Sequence, residues 1–585
     1  MSICGRIWRL SLSCPNTWDR SIGIEHPPRR LSLGTSHATL VNSMLPSGLT
    51  TPRDVVLYYD KVYYDLIDSG KAHAFLYPWG SLGFLIVFLY LLIDHRQWRY
   101  RRITNWIVWL ATTLAHCWYI AKGRARNPAS AFGVGIISCF IIQYCFAVLV
   151  ADDCQTDFQR IERSEALTSE LAPGQPNGHA TNGDFRRRAG FNDKAPAKGR
   201  QMRIKESNVL GPHQRRGPLF WQGFPQGPWL ERMDWIVDVF TSFRGVGWSW
   251  QTSGVPPPPK WVQAQLRGEL DAEVHDEPPQ VGRTGIRRLN SRQAVIRESI
   301  KCLIIGYITL DALKTLGIHD PWFLGHMDSS LPSFIPALIR DSAVLTRCYR
   351  LLICLGAMYT ALWSIFKAGP LFWCGILGPR IAGVRGEPWM NPIDFFGSFT
   401  PVLDQGLAGW WGAWWHQTFR FVFERPANVI RRLTGVEKRS IPGRLISLYT
   451  AFFLSGCLHA SGSYTQLGDT RPLLGPMRFF LLQALGITVQ TFLAQQLKAA
   501  GLSERLPKPI KRLGNLVIVH VWLYFTAPFL CDDFARGGIW LFEPVPISIF
   551  RGLGLGPLGE GWWCWWNGIV RWHSGKHFWE TGIAL

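Results

Sequence analysis

Two histidines stand in stretches that are otherwise apolar or aromatic, and each could carry acid–base chemistry. His459 lies near the end of the apolar run 449–460. Its neighbours Ser455, Gly456 and Ala460 are small, which leaves room for a substrate beside the imidazole. Because a neutral imidazole can take a proton from a hydroxyl group, His459 is a candidate general base. The alternative is a histidine that packs between helices and bonds a backbone carbonyl group.

The second histidine, His416, lies in the tryptophan-rich segment 410–420. One interpretation of this segment is an interfacial helix that carries its Trp rings at the level of the lipid headgroups. On such a helix His416, Gln417 and Arg420 would share one face. The two histidines stand 43 residues apart, one before and one inside the same apolar stretch, so they could converge on one cavity. Periodicity alone leaves that convergence open.

Other catalytic patterns are missing from the sequence. The 13 cysteines are scattered without a C-x-x-C pair and many fall in apolar runs, which indicates packing rather than metal or disulfide sites. Cys457 faces a different side of its helix from His459, so we assign it to packing as well. Neither a G-x-S-x-G motif nor a Gly-rich phosphate loop after a strand is found. The run 179–184 matches an H-x4-D pattern only by its letters, within a low-complexity loop.

The composition indicates a membrane protein. Charged residues make up 18% of the 585 residues, against roughly 25% in typical soluble proteins, and 13% are aromatic. Because a spanning helix needs ~20 mostly apolar residues, we predict an all-α, polytopic membrane helix bundle with about eight transmembrane helices and interfacial helices. The eight predicted spans are 75–93, 103–120, 131–151, 299–316, 344–366, 445–460, 477–497 and 513–530.

The basic residues orient these spans. Lys and Arg exceed Asp and Glu by 62 − 41 = 21, and Arg and Lys are concentrated in the connections after the first, third, fifth and seventh spans. With eight spans these connections share one side, which the positive-inside rule makes cytoplasmic. Lys122, Arg124 and Arg126 are the exception. We therefore expect a multi-pass membrane protein whose charge reflects topology and attraction to anionic lipid rather than nucleic-acid binding. The membrane that we expect is that of the endoplasmic reticulum.

Composition also divides the chain into five parts. Residues 1–68 form an N-terminal extension without the apolar stretch of a signal peptide, and 69–151 contain the first transmembrane helices. Residues 152–230 are rich in Gly, Pro and charge, which predicts a largely disordered cytoplasmic loop. The core with both histidines is predicted at 231–535, and a Trp-rich C-terminal segment at 536–585.

Four boxes in a fixed order carry a family resemblance. The box 244–248 reads R-G-V-G-W, and 388–397 reads P-W-M-N-P-I-D-F-F-G. The sequence W-W-H-Q at 414–417 is followed by Arg420, and S-G-C-L-H stands at 455–459. In these boxes the chain resembles the wax-synthase-like branch of the membrane-bound O-acyltransferases. Their order and spacing across about half of the chain make the resemblance specific.

The resemblance implies acyl transfer from an acyl-CoA to an alcohol inside a membrane chamber. His459 would be the general base that removes the hydroxyl proton of the acceptor, and His416 would orient the thioester or the acceptor. The predicted partners are the lipid bilayer, the acyl-CoA and a hydrophobic alcohol. No bound cofactor and no metal are expected, because acetyl-CoA would act as a co-substrate. The predicted substrate-binding residues are Trp415, Gln417, Arg420 and Ser455.

The acceptor is the least defined part of this prediction. Members with an R-G-x-G-W box and a long polar loop resemble fungal enzymes that acetylate terpenoid or meroterpenoid natural products, so we expect acetyl transfer of that kind. Synthesis of long-chain wax or sterol esters is the alternative within the same chemistry. A transporter or lipid-binding scaffold is the alternative from another class. A transporter would need paired carboxylates in the membrane, whereas the spans offer little beyond Asp311. Asp311 itself could be structural or could line the cavity.

Overall fold

The computed structural model describes residues 45–46, 48–164, 217–269 and 278–585. The proposed N-terminal segment before residue 45 and the run 179–184 lie outside these residues. The principal helices are α1 (Pro52–Asp68), α2 (Leu82–Leu92), α3 (Arg101–Lys122), α4 (Pro128–Cys145), α5 (Trp229–Thr241), α6 (Arg292–Gly317), α7 (Ala343–Ile365), α8 (Arg420–Thr434), α9 (Ile441–Thr465), α10 (Arg478–Ala499), α11 (Lys508–Thr526) and α12 (Pro528–Arg536).

Shorter helical segments join the principal helices. Single π-helical stretches lie at Phe146–Ala151, Leu371–Leu377, Trp410–Trp414, Leu473–Met477 and Arg551–Leu555. Short α-helices lie at Cys154–Asp157, Lys260–Leu266, Ala337–Arg340, Ala368–Pro370, Gly378–Ala382, Thr400–Gln405, Leu407–Gly409 and Leu502–Arg505. Turns of 3₁₀-helix lie at Trp79–Ser81, Pro321–Leu324, Gly383–Gly386, Pro388–Met390, Ile539–Leu541 and Phe578–Glu580.

Two helices that carry the functional site start at sequence-encoded caps. The side chain of Asn127 accepts hydrogen bonds from the backbone N–H groups of Ala129 and Ser130, and Pro128 occupies the first turn of α4. The hydroxyl oxygen of Ser440 accepts from the N–H of Gly443 at 3.1 Å and caps α9 in the same way. These caps satisfy N–H groups that would otherwise lack partners at the helix ends.

The prediction of an all-α membrane bundle is confirmed. A principal helix covers most of each of the eight predicted spans. In the described part of the chain, five helical stretches are long and apolar enough to cross a membrane, and the helical stretch 79–92, from Trp79 through α2, is a shorter apolar one. The five are Pro128–Ala151, Ala343–Gly386, Ile441–Thr465, Leu473–Ala499 and Lys508–Arg536.

The helices α3 and α6 fall outside these five because their inner faces are polar. In α3 the buried residues are Asn105, Thr112 and His116, while its exposed face is apolar. In α6, Asp311 is fully buried and accepts hydrogen bonds from the hydroxyl of Ser548 and, at 2.6 Å, from the backbone N–H of Ile549. Asp311 therefore has a structural role, since its carboxylate accepts hydrogen bonds from the start of the C-terminal segment.

The outer surface of the bundle is apolar. Phe492 on α10 is 58% exposed and Phe525 on α11 is 64% exposed, with Val489, Val517 and Val521 exposed beside them. Large contiguous apolar surface is unfavourable in water and suits contact with lipid hydrocarbon. Polar side chains such as Gln483 are instead buried inside the bundle.

Short strands tie the ends of the bundle together. The strands β1 and β3 pair in parallel, β2, β9 and β8 form an antiparallel sheet, and the pairs β4–β5 and β6–β7 are antiparallel. The pair β4–β5 closes the described ends of the predicted loop 152–230. The strands are β1 (His73–Ala74), β2 (Leu76–Tyr77), β3 (Gly123–Arg124), β4 (Arg160–Arg163), β5 (Leu219–Gln222), β6 (Gln280–Val281), β7 (Arg287–Arg288), β8 (Arg571–His573) and β9 (Gly582–Ala584).

The first helix belongs to this packed body. Val55 and Tyr59 of α1 are buried against Leu324 and Leu541, which lie hundreds of residues away in the chain. The hydroxyl of Tyr59 donates a hydrogen bond to the carbonyl of Arg536 at 3.1 Å. Although α1 falls within the predicted N-terminal extension 1–68, its apolar face is part of a core.

Candidate active site

His459 lies on α9, where Phe132 of α4 and Phe480 of α10 flank its ring. The ring centroid of His459 is 4.4 Å from that of Phe480 and 6.4 Å from that of Phe132. Its Nδ1 atom lies 2.8 Å from the carbonyl oxygen of Ser455, one turn earlier. Because a carbonyl oxygen can only accept, Nδ1 of the neutral ring carries the proton and Nε2 carries the lone pair. Among the described residues Nε2 has no hydrogen-bond partner, so it is available as a base.

His416 lies in the non-helical connection between the π-helical stretch Trp410–Trp414 and α8. Its ring stacks on Phe395 with centroids 5.2 Å apart and planes 23° apart, and Phe419 meets its edge at 5.5 Å. The Nδ1 atom of His416 is buried and has no hydrogen-bond partner among the described residues. An aromatic cage therefore holds this imidazole in place without satisfying it, and such a group is poised to bind a substrate.

The structure brings the two histidines together. Burial first, and the neighbouring His459 second, lower the pKa of His416 to about 3. A second imidazole can exert that effect only at short range. A row of rings also joins them, from Phe480 beside His459 through Trp411 and Trp415 to His416, with successive centroids 5.7 to 6.0 Å apart. The site therefore contains two imidazoles in an aromatic, water-poor setting.

The shifted pKa of His416 gives a pH-dependent stability. An unfolded chain has its ordinary value near ~6.5, so below that pH the unfolded state takes up a proton that the folded state refuses. The free energy of unfolding therefore decreases as the pH falls from about 6.5 toward 3. We expect the Tm of the His416→Gln variant to fall less steeply than that of the wild type between about pH 7 and pH 5. Equal slopes in the two proteins would contradict a buried neutral His416.

The expectation that His416, Gln417 and Arg420 share one helical face is wrong. Trp415 takes an extended conformation, with φ −64° and ψ 150°, so the helix is interrupted before His416. The side chain of Gln417 stabilises this break by donating to the carbonyl oxygens of Trp411, at 3.0 Å, and Trp415, at 2.7 Å. Arg420 donates to the Gln417 amide oxygen at 3.1 Å and so fixes its orientation. Gln417 and Arg420 thus hold the loop that presents His416.

The other two predicted substrate-binding residues occupy different positions. Trp415 stands in the ring row between Trp411 and His416, and its plane lies 9° from that of Trp410. Ser455 supplies the carbonyl group that fixes the His459 ring, and it is partly buried. Both residues therefore border the histidines. Their geometry suits walls and anchors of a cavity.

The boxes 244–248 and 388–397 meet behind His416. Arg244 donates to the carbonyl oxygen of Asp394 at 2.8 Å and to that of Pro392 at 3.5 Å. The Asp394 carboxylate in turn accepts two hydrogen bonds from the Arg287 guanidinium, each of 2.8 Å. Phe395, the next residue, is the ring that stacks on His416. The two arginines therefore fix the backbone that supports His416.

Sequence reasoning missed three polar residues that position the site. The first is Arg287, and the second is Lys367, which is 1% exposed and donates from Nζ to the carbonyl of Ile393. The third is Gln483, which accepts from the Trp411 indole N–H at 3.3 Å and donates to the Thr526 hydroxyl at 3.0 Å. The available signal was an isolated polar residue in or beside an apolar run, as for Lys367 and Gln483. Nothing in the sequence separates Arg287 from other arginines.

A cavity of about 200 Å³ adjoins this support. It is lined by Arg244, Arg385 and Phe395. The ring of Phe395 also stacks on His416. Burial lowers the pKa of Arg244 to about 10, which leaves its guanidinium charged at neutral pH. The carboxylates of Asp238 and Asp394 line the same cavity, so it combines two positive and two negative side chains with aromatic walls.

Glycines let α4 approach the base-bearing helix closely. A Cβ atom on Gly135 would collide with the carbonyl oxygen of Ser461, two residues from His459. The N–H of Gly135 donates to the Thr465 hydroxyl at 3.1 Å, and that hydroxyl donates to the carbonyl of Ala131 at 2.7 Å. Helices in membranes pack through such small residues and interhelical hydrogen bonds.

We expect Gly135→Ala to destabilise the protein by about 1–3 kcal/mol, because two backbones must separate to admit the methyl group. Gly133 on the same helix is the matched control, since a Cβ atom there meets nothing within 4 Å. Gly133→Ala should leave stability unchanged or raise it slightly, because alanine is the better helix former. The measurement is the fraction of protein that survives heating, judged by size-exclusion chromatography. Equal losses in both variants would contradict this account of the α4–α9 contact.

Comparisons with known proteins agree with this geometry. Residues 392–482 match the membrane bound O-acyl transferase family, and this segment holds Phe395, His416 and His459. The helical membrane bundle and the paired histidines suit that class. The chain is therefore similar to membrane-bound O-acyltransferases in this segment, and to fungal acetyltransferases over a longer stretch. No solved structure matches the chain.

Three curated fungal relatives illustrate the similarity. Acetyltransferase eriL of Hericium erinaceus is 32% identical over 149 residues, which are 25% of this chain and 37% of the relative. Acetyltransferase aurG of Calcarisporium arbuscula is 25% identical over 309 residues, 52% of this chain and 66% of the relative. Acetyltransferase pyr8 of Aspergillus fumigatus is 26% identical over 334 residues, with coverages of 57% and 71%. The chain spans less than two thirds of the length of eriL and of aurG.

Proposed function

We propose that the protein transfers an acyl group, most simply acetyl, from acyl-CoA to a hydroxyl group of a hydrophobic alcohol within the membrane. The observation that carries this proposal is the state of His459. Its Nδ1–H is fixed on the Ser455 carbonyl, which leaves the Nε2 lone pair free. A base held in one tautomer within a row of aromatic rings is suited to deprotonating an alcohol that itself partitions into the membrane.

The reaction follows from that geometry. Nε2 of His459 takes the hydroxyl proton as the hydroxyl oxygen bonds to the carbonyl carbon of the thioester. The carbon–sulfur bond then breaks, and the imidazolium returns the proton to the departing CoA sulfur. No acyl-enzyme intermediate is required. A positioned base contributes typically 10²–10⁴-fold to such a rate, and alignment of the two substrates supplies the rest.

The other site residues receive supporting roles in this proposal. His416 orients the thioester or the acceptor, since its ring is caged and its Nδ1 atom is unsatisfied. Trp415 and Ser455 border the reacting groups. The side chain of Gln417 bonds the loop backbone, and Arg420 bonds the Gln417 amide oxygen. We therefore assign both residues to positioning His416 instead of binding substrate directly.

The acyl donor is proposed to be acetyl-CoA, used as a co-substrate without a bound cofactor or metal. The names of eriL, aurG and pyr8 as acetyltransferases support the short acyl group. A relative named O-Mevalon transferase yanI, from Aspergillus niger, is 23% identical over 316 residues, 51% of this chain and 61% of the relative. Because that name indicates a larger acyl group, a donor larger than acetyl-CoA is the alternative.

For the acceptor we propose a terpenoid or meroterpenoid alcohol of a natural-product pathway, processed in the endoplasmic reticulum membrane. This class is the one that the sequence resemblance implies, and the apolar, aromatic surroundings of the histidines suit a polycyclic alcohol. Long-chain wax or sterol ester synthesis would use the same histidines with a longer donor. A transporter or lipid-binding scaffold receives no support from Asp311, whose carboxylate is occupied by the C-terminal segment.

The donor and the acceptor are tested together in microsomes that express the chain, with microsomes lacking it as the control. Radiolabelled acetyl-CoA or palmitoyl-CoA is supplied with a panel of terpenoid alcohols and long-chain alcohols, and labelled ester is extracted into organic solvent. We expect ester only with acetyl-CoA and a terpenoid alcohol. Ester formed only from palmitoyl-CoA and a long-chain alcohol would replace the acetylation proposal. Absence of ester with every pair would contradict acyl transfer.

A further inference from the structure

A second cavity lies between α8 and the end of the span Pro128–Ala151. It has a volume of about 410 Å³ and is lined by Asp152, Arg425, Asn428, Arg431 and Arg432. The lining carries three guanidinium groups and one carboxylate, so its formal charge is positive. No step of the proposed acyl transfer uses it.

The three arginines are not equally engaged. Arg431 is 8% exposed and donates to the hydroxyl of Ser447 and the side-chain oxygen of Asn428, so it holds α8 against α9. Arg425 makes one contact to Asp152, with Nε 2.9 Å from the carboxylate. Arg432 donates a single hydrogen bond, of 3.1 Å, to the carbonyl of Ala151. A guanidinium group has five N–H donors, so within the described residues both groups keep several donors without an acceptor.

The position of the cavity relative to the membrane is defined by its neighbours. Asp152 directly follows the span Pro128–Ala151, and the next residue, Asp153, pairs with Arg101 at 3.4 Å. Basic residues from the first connection and from α8 therefore gather at one end of the bundle. By the positive-inside rule this end is cytoplasmic, where the leaflet carries anionic lipid.

Apolar residues stand beside the charged ones. Leu433, next to Arg432, is 82% exposed, and Ile441 at the start of α9 is 66% exposed. A helix with exposed arginine and leucine side by side suits the boundary between headgroups and acyl chains. A soluble phosphate compound would use the arginines, but only a lipid would also cover these apolar side chains.

We propose that this cavity binds the phosphate headgroup of an anionic phospholipid of the cytoplasmic leaflet. Arg425 and Arg432 donate to the phosphate oxygens, and the acyl chains of the lipid lie against Leu433 and Ile441. Phosphate is the chemistry that a headgroup shares with a soluble phosphate compound, and the exposed apolar residues select the lipid. Because α8 begins at Arg420, headgroup binding at its other end also steadies the helix that follows the His416 loop.

The test uses full-length protein in phosphatidylcholine nanodiscs that contain fluorescent phosphatidic acid, with energy transfer from the protein's tryptophans as the measure of binding. The double variant Arg425→Gln, Arg432→Gln should bind roughly tenfold to thirtyfold more weakly, since each basic residue near a membrane surface contributes about fivefold. Arg439→Gln is the matched control. It removes one positive charge, as the single variant Arg432→Gln does, but from an exposed site outside the cavity, and it should bind like the wild type.

Two results would overturn the proposal. If Arg439→Gln weakened binding as much as Arg432→Gln does, lipid binding would follow the net charge of the protein and not the cavity. Displacement of the labelled lipid by inorganic phosphate or by 3′-phosphoadenosine 5′-phosphate would assign the cavity to a soluble phosphate. The single variant Arg432→Gln guards against misfolding, because its guanidinium contacts only one carbonyl, and it should show about fivefold weaker binding at unchanged Tm. Unchanged binding in this variant would also contradict the site.

Discussion

Replacement of His459 by alanine is expected to lower kcat for ester formation by about 10²–10⁴-fold while the protein still folds. The loss is large because Nε2 is the atom that takes the acceptor proton, and the two phenylalanine rings and the carbonyl group that contact the His459 ring cannot take it. The measurement is the rate of labelled ester formation at saturating substrates. The amount of folded protein is determined on the same samples by size-exclusion chromatography.

The matched control for this variant is Cys457→Ala. Cys457 lies two residues earlier on α9, is also partly buried, and has no role in the proposed reaction. It should retain activity within about twofold of the wild type, because it removes only a small apolar group. Comparable losses in the two variants would indicate a packing defect in α9 and would contradict the assignment of His459 as the base.

Replacement of His416 by alanine is the second large effect, with an expected loss of about 10²-fold. The ring fills an aromatic cage formed by Phe395 and Phe419, and we propose that it aligns a substrate with His459. Misplacement of a substrate by about 1 Å can cost 10²-fold in rate. The measurement compares kcat and KM of the single variants at His416 and His459 with those of the double variant.

The double variant makes this prediction specific. If the two imidazoles act on the same reacting group, the loss in the double variant should be smaller than the product of the single losses. If His416 only packs against Phe395, the losses should multiply and the conservative variant His416→Phe should retain activity. Full additivity together with activity of His416→Phe would contradict the proposed role of His416.

The sequence was informative wherever a feature is local. Apolar stretches located the helices, because burial in lipid requires about 20 apolar residues in one run. The small residues around His459 could also be read from the sequence, because they are its neighbours in the chain. The predicted span 103–120 is an instructive partial case. Its helix α3 exists, yet Asn105 on its inner face donates to the carbonyl oxygen of Leu149, and composition alone cannot tell such a bonded polar group from an exposed one.

Features that depend on the hydrogen bonds of individual side chains could not be predicted. The break in the helix before His416 depends on Gln417, whose amide competes with the backbone for the carbonyls of Trp411 and Trp415. The spacing of apolar residues along a helix does not indicate which side chain will bond the backbone in this way. The contact of Arg244 with the backbone at Asp394 joins residues 150 positions apart, so it can be seen only in three dimensions.

The most direct test of the central claim follows one acetyl group in the purified full-length protein. Wild-type protein and the His459→Ala variant, matched for folded amount, are mixed with radiolabelled acetyl-CoA and an alcohol acceptor identified in the microsome panel. Our account predicts labelled ester with the wild type and a rate lower by about 10²-fold or more with the variant. Labelled ester formed at the same rate by both proteins would show that His459 is not the base and would contradict the account.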